Sequence, residues 1–375
     1  MPIRVGLVGL GIPGSGRGGS GIWGYAAHLP SIISSSQYQL TAVCNSSIVS
    51  AEKSIAFHEL SPGTKAYGSV DDLANDPDVD MIVVSVRVEK HQELMKTAIL
   101  SKKDVYLEWP AGNTTAVTAE LTSLAKENQV KTIVGLQMRA DPLIIKLRDV
   151  IQSGKIGKVN STSVLGFFAR LGQGQWAESA AYYLDAESGG NSLYIYFAHF
   201  FDTFIHVLGD FIELHPIAKA FQKTINLVDG DGNVVKRNHP MTTPDHILIQ
   251  GVLRNGTLAS IAFRSPPCTV DGIGYRWTIS GTEGEIELTM PEGPWQFGTA
   301  GAKVKVKVYK SNSIGTDDFD RGDISALSGG VPFPGSITAM SYKAFAAGES
   351  DKFATLESAL QTKHTLDKIL SALRP

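Results

Sequence analysis

The opening of the chain constrains everything after it. Ile3 to Val8 is a short apolar run, Gly9-Leu10-Gly11 follows directly, and His28-Leu29-Pro30-Ser31-Ile32-Ile33 begins a helical pattern. A strand that passes through glycines into a helix brings backbone N–H groups to a phosphate at the helix N-terminus. Glycine spacing alone is weak evidence in a chain with 38 glycines; the strand before it and the helix after it give it weight. The loop is longer than usual, because Ile12 to Gly21 is inserted before Trp23-Gly24. Its N–H groups and Arg17 can wrap a phosphate, or the segment is a plain surface loop; both readings stand.

At 375 residues the chain has room for two cores. From Ile3 to about Gly135, β-branched runs alternate with helical patterns. Gln39–Cys44, Met81–Val86, Val105–Glu108 and Lys131–Leu136 read as strands, with helices across Lys90–Ser101 and Thr115–Asn128. That alternation predicts a doubly wound parallel sheet, a Rossmann domain over residues 1–139, with ligands outside the carboxyl ends of the strands. The strand ends therefore name the cofactor candidates: Gly9 and Gly11, Ser46 and Ser47, Val86 and Arg87, Glu108 and Trp109, and Arg139. After Pro142 the pattern changes to a helix over Leu143–Ser153 and then mainly strands joined by turn signals such as Arg254-Asn255-Gly256. Residues 140–375 are expected to form an α+β substrate and oligomerisation domain on a large, mostly antiparallel sheet.

Net charge of -3 and the absence of basic runs argue against direct nucleic-acid binding. No window approaches the roughly 18 apolar residues of a membrane span, and the N-terminal run lacks a signal-peptide pattern. A cytoplasmic protein is expected. Cys44 and Cys268 sit in strand-like contexts and are expected to be buried free thiols.

The end of the second strand bears on the cofactor. NAD binders place Asp or Glu there, about 20 residues past the glycines, for the ribose 2′-hydroxyl. Here Asn45-Ser46-Ser47 occupies that place, 22 residues past Gly24 at Ser46. Small hydroxyls tolerate a 2′-phosphate that a carboxylate would repel, which favours NADP over NAD, with Lys53 or Arg17 at hand for the charge.

The residues resemble the glucose-fructose oxidoreductase / inositol dehydrogenase (Gfo/Idh/MocA) family over nearly the whole chain. The resemblance rests on the N-terminal glycines, His91, Glu108-Trp109-Pro110, Arg139 with Pro142, and Gly154-Lys155-Ile156-Gly157. Gly189-Gly190 with His199 and Asp202, and the run from Gly281 to Leu288, complete it. It implies dinucleotide binding, with His91, Glu108, Trp109 and Arg139 near the cofactor, and a homodimer. The family has a lysine where this chain has Trp109 and an aspartate where it has Ile195. An indole cannot shuttle a proton at neutral pH. Glu108-Trp109, Gln137 with Arg139, and Pro244–Gly251 followed by Asn255-Gly256 are similar to the branch of the fungal galactose-gene repressor, which binds a dinucleotide and a protein rather than catalysing.

His199, Asp202 and His206 share one helix face at i, i+3 and i+7. A metal site, a buried hydrogen-bonded network, and an acid–base role for His199 all remain open, Asp202 anchoring the helix in the last case. No metal is expected. Tyr182, Tyr183, Tyr194 and Tyr196 are further candidates; a phenol of lowered pKa, Tyr194 among them, can donate the proton that follows hydride transfer. The leading expectation is an NADP(H)-dependent oxidoreductase acting on a small carbonyl, imine or alcohol. The alternatives are a non-catalytic NADP-binding regulator with a protein partner, and a non-redox enzyme on the same fold.

Overall fold

β1 (Ile3–Val8) lies at the centre of a six-stranded sheet because its residues are apolar on both faces, as a strand covered by helices on each side must be. β2 (Tyr38–Cys44), β3 (Lys65–Tyr67), β4 (Met81–Val84), β5 (Asp104–Leu107) and β6 (Thr132–Val134) complete it in the order β3-β2-β1-β4-β5-β6. All pairs are parallel. The connections are α1 (Leu29–Ile33), α2 (Ile48–Phe57), α3 (Val70–Ala74), α4 (His91–Leu100) and α5 (Thr115–Asn128). Strand order reverses between β1 and β4, the topological switch of a doubly wound sheet. The computed structural model describes residues 1–14, 21–168, 171–309 and 317–374.

A second unit follows. α6 (Pro142–Gln152) leads to β7 (Val159–Phe167), and β8 (Gln175–Ala177) precedes α7 (Ala198–Leu208). β9 (Phe211–Lys219), β10 (Thr224–Val228), β11 (Val234–Pro240), β12 (His246–Leu253) and β13 (Leu258–Arg264) come next. β14 (Ile273–Gly281), β15 (Gly284–Pro291), β16 (Lys303–Val308) and β17 (Asp317–Asp320) close the series. Together with β18 (Leu373–Arg374), these form a nine-stranded sheet, β17-β16-β15-β14-β7-β13-β12-β9-β18, and a small β11-β10-β8 sheet. The large sheet is antiparallel except at β7–β13 and β9–β18. One face packs on α7, where Phe200 meets Trp277 at 5.7 Å and Phe263 at 5.1 Å between ring centroids. The other face leaves Leu165, Ile217, Leu248 and Leu258 exposed.

α8 (Ile324–Leu327), α9 (Ser336–Ala347) and the first half of α10 (Leu356–Ser371) return to the first unit. The linear boundary expected near residue 139 therefore needs correction. The first unit is Met1–Ala140 with Ser188–Gly190 and Ile324–His364, and the second is the remainder. The reason is packing: Tyr342, Phe345 and Phe353 belong to the same buried cluster as Val5, Leu7, Met81 and Tyr106. The expectation for the cysteines also needs correction. Cys44 is buried, and burial raises its thiol to about 12. Cys268 is exposed, because it lies in a proline-containing loop between β13 and β14 rather than inside a strand.

Candidate nucleotide-binding site

At the carboxyl end of β1, Gly9 is wedged between the ends of β2 and β4. Its N–H donates to the Cys44 carbonyl at 2.9 Å, and the neighbouring Ser85 N–H donates to the Val8 carbonyl at 3.0 Å. Gly9 has φ of +93°, and a Cβ there would stand 2.4 Å from the Ser85 carbonyl oxygen. Gly24, which opens a π turn (Gly24–His28) leading into α1, is equally constrained: a Cβ would lie 2.6 Å from the Gly9 carbonyl oxygen. Glycine is required because two backbones touch, which is the cradle a pyrophosphate needs. Arg17 falls outside the described residues.

Over this cradle opens a cleft of about 950 Å³, lined by Gly9, Gly11, Ser46, Ser47 and Val86 among the expected residues, and by Lys53. Asn45 also lines the cleft. Its amide donates to the Leu10 carbonyl at 3.1 Å and to Ser54 Oγ at 3.0 Å, stapling the glycine loop to α2. Ser47 caps α2 by accepting from the Ser50 N–H at 3.2 Å. Ser46 and Lys53 are exposed. The cleft thus offers a helix N-terminus, a hydroxyl and an ammonium where an NAD site would carry a carboxylate, a donor set that fits a phosphate. Asp71, Lys90, Glu93 and Thr97 also line it, and the sequence reading did not single them out.

The remaining expected cofactor residues do not line this cleft. Arg87 is exposed and paired with Glu89 at 2.9 Å. His91 is buried, with Nδ1 2.9 Å from the Pro110 carbonyl and Nε2 3.0 Å from the Val86 carbonyl. Burial pushes its pKa down while the two carbonyls oppose the shift, and the side chain bridges the loops after β4 and β5. Glu108 is held by His28, Trp109 is buried, and Arg139 is buried in the turn after β6.

In the second unit, α7 is buried nearly all round. His199 is 6% exposed, burial drops its pKa to about 3, and its Nδ1 has no hydrogen-bond partner among the described residues. It is a neutral imidazole, able to accept or donate a hydrogen bond but a poor proton donor. Asp202 is buried on the next turn. Among the described residues no group of three or more His, Cys, Asp or Glu could hold a metal. Tyr194 contradicts its expected role: its phenol donates to Asp367 at 2.6 Å, and burial with that carboxylate raises its pKa rather than lowering it. Tyr182, Tyr183 and Tyr196 pack around Trp176 in edge and tilted contacts, Trp176–Tyr183 at 5.9 Å and Tyr183–Tyr196 at 6.0 Å.

Comparison with known proteins identifies this arrangement. Residues 3–136 match the profile of the GFO/IDH/MocA oxidoreductase family with its NAD-binding Rossmann fold, and residues 142–290 match the C-terminal domain of Gal80p. The chain belongs to the GFO/IDH/MocA family.

Within that family, a dehydrogenase of Aspergillus oryzae, AclE, is 29% identical over 340 residues, covering 89% of this chain and 87% of that protein. The galactose/lactose metabolism regulatory protein GAL80 of Kluyveromyces lactis is 31% identical over 298 residues, covering 76% of this chain. The chain spans only 64% of that regulator. A crystal structure of Kluyveromyces lactis Gal80p superposes with a TM-score of 0.83 at 26% identity, over 99% of this chain and 92% of that one. A levoglucosan dehydrogenase in complex with NADH shares the fold at a TM-score of 0.76, over 99% of this chain and 97% of that one, at 16% identity. The GFO/IDH/MocA assignment joins enzymes and regulators on one fold. No helix among the described residues is long and apolar enough to cross a membrane.

Proposed function

We propose that this GFO/IDH/MocA chain is a cytoplasmic NADP(H)-dependent oxidoreductase acting on a small carbonyl, imine or alcohol. The observation that carries the cofactor assignment is the glycine-wedged cleft with Ser46 and Lys53 where an NAD site keeps a carboxylate. Near-complete coverage of a dehydrogenase relative supports a redox role. The cofactor supplies the hydride; the first unit binds it, and the second is assigned the substrate and, through its exposed sheet face, a homodimer contact. With Trp109 and Ile195 in place of proton-transferring groups, and His199 held neutral, rate comes chiefly from holding the reactants in position, worth up to about 7–11 kcal/mol in well-oriented systems. His199 contributes as a hydrogen-bond partner, and Asp202 anchors its helix.

A regulatory reading is supported by the loss of two proton-transfer positions: Trp109 cannot titrate, and Tyr194 is tied to Asp367. In that case the chain binds NADP(H) and a protein partner without turnover. The two readings separate when purified protein is mixed with NADPH and a panel of small carbonyl compounds. Loss of the reduced-cofactor absorbance with at least one of them is the expected result. Tight NADPH binding with no turnover on any of them moves the assignment to the regulator.

The cofactor preference has its own check. Lys53→Ala is expected to weaken NADPH about tenfold and NADH by about twofold or less, because only the former presents a second phosphate to the ammonium. Equal affinity of the unmodified chain for the two would remove the NADP assignment.

A further inference from the structure

Glu108 follows β5 with its carboxylate at the carboxyl edge of the parallel sheet, and buried groups hold it from behind. His28 Nε2 lies 2.9 Å from Glu108 Oε1, and His28 Nδ1 lies 2.8 Å from the Tyr342 hydroxyl. The His28 side chain is fully buried, whereas Glu108 keeps 17% of its side chain exposed. Tyr106 sets its ring edge-on to His28 at 4.8 Å. On another side stands Gly135, where a Cβ would lie 2.7 Å from both carboxylate oxygens. A carboxylate only accepts, so Nε2 carries the imidazole proton; burial keeps the Tyr342 phenol protonated, and its O–H donates to Nδ1. The imidazole tautomer is thereby set by its two neighbours.

Two buried tyrosines, a buried histidine and a glycine thus fix one carboxylate at the edge of the sheet where ligands bind. A dinucleotide lies across the switch between β1 and β4 in a sheet of this order. The cleft with Ser46 and Lys53 takes the adenosine ribose on the β2 side, so the nicotinamide half falls on the side of β4 and β5. The oxidised nicotinamide ring carries a positive charge that the reduced ring lacks. We propose that Glu108, positioned by His28 and Tyr342, makes this chain discriminate between the redox states of its cofactor, holding the oxidised form the more tightly. The proposal rests on the dinucleotide reading given above.

The test is the pair of dissociation constants for NADP⁺ and NADPH, measured by calorimetry on the full chain and its variants. Glu108→Gln is expected to raise the constant of the oxidised form about tenfold and that of the reduced form by about twofold or less, since only the former loses a charge–charge attraction. His28→Gln, whose amide can donate to the carboxylate as Nε2 does, keeps the ratio of the unmodified chain, and His28→Phe reproduces the Glu108→Gln result. A merely structural role would weaken both forms equally; that result, or an unchanged ratio in Glu108→Gln, overturns the proposal. Should His28→Phe fail to fold, Glu108→Gln, which keeps the size of the side chain, decides alone. If the unmodified chain binds neither form, the dinucleotide reading itself falls and takes this proposal with it.

Discussion

Replacing Arg321 with methionine (Arg321→Met) is expected to destabilise the second unit by about 3–5 kcal/mol at neutral pH, the cost of stranding a buried charge. Asp141 is fully buried and caps α6 by accepting from the Leu143 N–H at 2.8 Å. Its other carboxylate oxygen lies 2.7 Å from Arg321 Nε, and Arg321 also donates to the Thr299 carbonyl at 2.7 Å. Even with these partners, burial outweighs them and the Asp141 pKa lies above the ordinary carboxyl value. The folded state therefore holds the Asp141 proton more tightly than the unfolded state. This contribution to stability is present in acid and falls as pH rises from the ordinary carboxyl value through the folded one. Without Arg321 the folded pKa climbs further, so the gap between variant and parent should be widest at neutral pH and shrink as pH falls toward 4. Denaturant midpoints across that range measure it. A gap that is constant with pH would place the loss in packing and in the Thr299 contact instead.

Gly9→Ala is expected to cost about 2–5 kcal/mol, from positive-φ strain together with overpacking, and to reduce dinucleotide affinity by about a hundredfold. The new Cβ would meet the Ser85 carbonyl oxygen at 2.4 Å and Val86 Cγ1 at 2.6 Å, and the carbonyl is backbone that cannot swing aside. Gly14 is the control on the same connection. It also has positive φ, at +74°, but a Cβ there would meet nothing within 4 Å among the described residues. Gly14→Ala should therefore show only the strain, about 1–2 kcal/mol. Thermal melts and NADPH fluorescence titrations of both variants separate the two terms. Equal losses in the pair would mean that the contact with β4 does not matter.

Much of the first unit was legible because its signals are local. An apolar run on both faces of β1, glycines at its end and helices of ordinary length between later strands are each written in one short window. The cleft follows from them, since Gly9, Ser46, Ser47 and Val86 are all strand-end residues. The second unit was harder to read between residues 208 and 246, where β9, β10 and β11 lie. β9 carries Pro216 and exposes residues on both faces, and β11 is exposed almost throughout, so neither shows the alternation that marks a half-buried strand. Side-chain partners that lie far along the chain could not be read from the sequence. Tyr194 meets Asp367 across 173 residues, and His28 meets Tyr342 across 314. Neither partner leaves a trace near the residue it controls. His91 meets the Pro110 and Val86 carbonyls, and carbonyls are invisible to side-chain motifs.

The return of residues 324–364 to the first unit has a consequence for how the protein comes into being. A ribosome delivers β1 to β6 early, at about 5–20 residues per second. Tyr38 and Tyr106 then wait for Tyr342, which meets their rings at 5.0 and 4.8 Å, and β6 waits for Ala354, whose carbonyl accepts from the Val134 N–H at 2.8 Å. During that interval the nascent sheet carries apolar surface that only the last tenth of translation can cover. The half of the molecule that binds the nucleotide is thus the first to be made and among the last to be finished. A stop codon shortly before residue 340 would leave an incompletely closed core for chaperones and proteases to find.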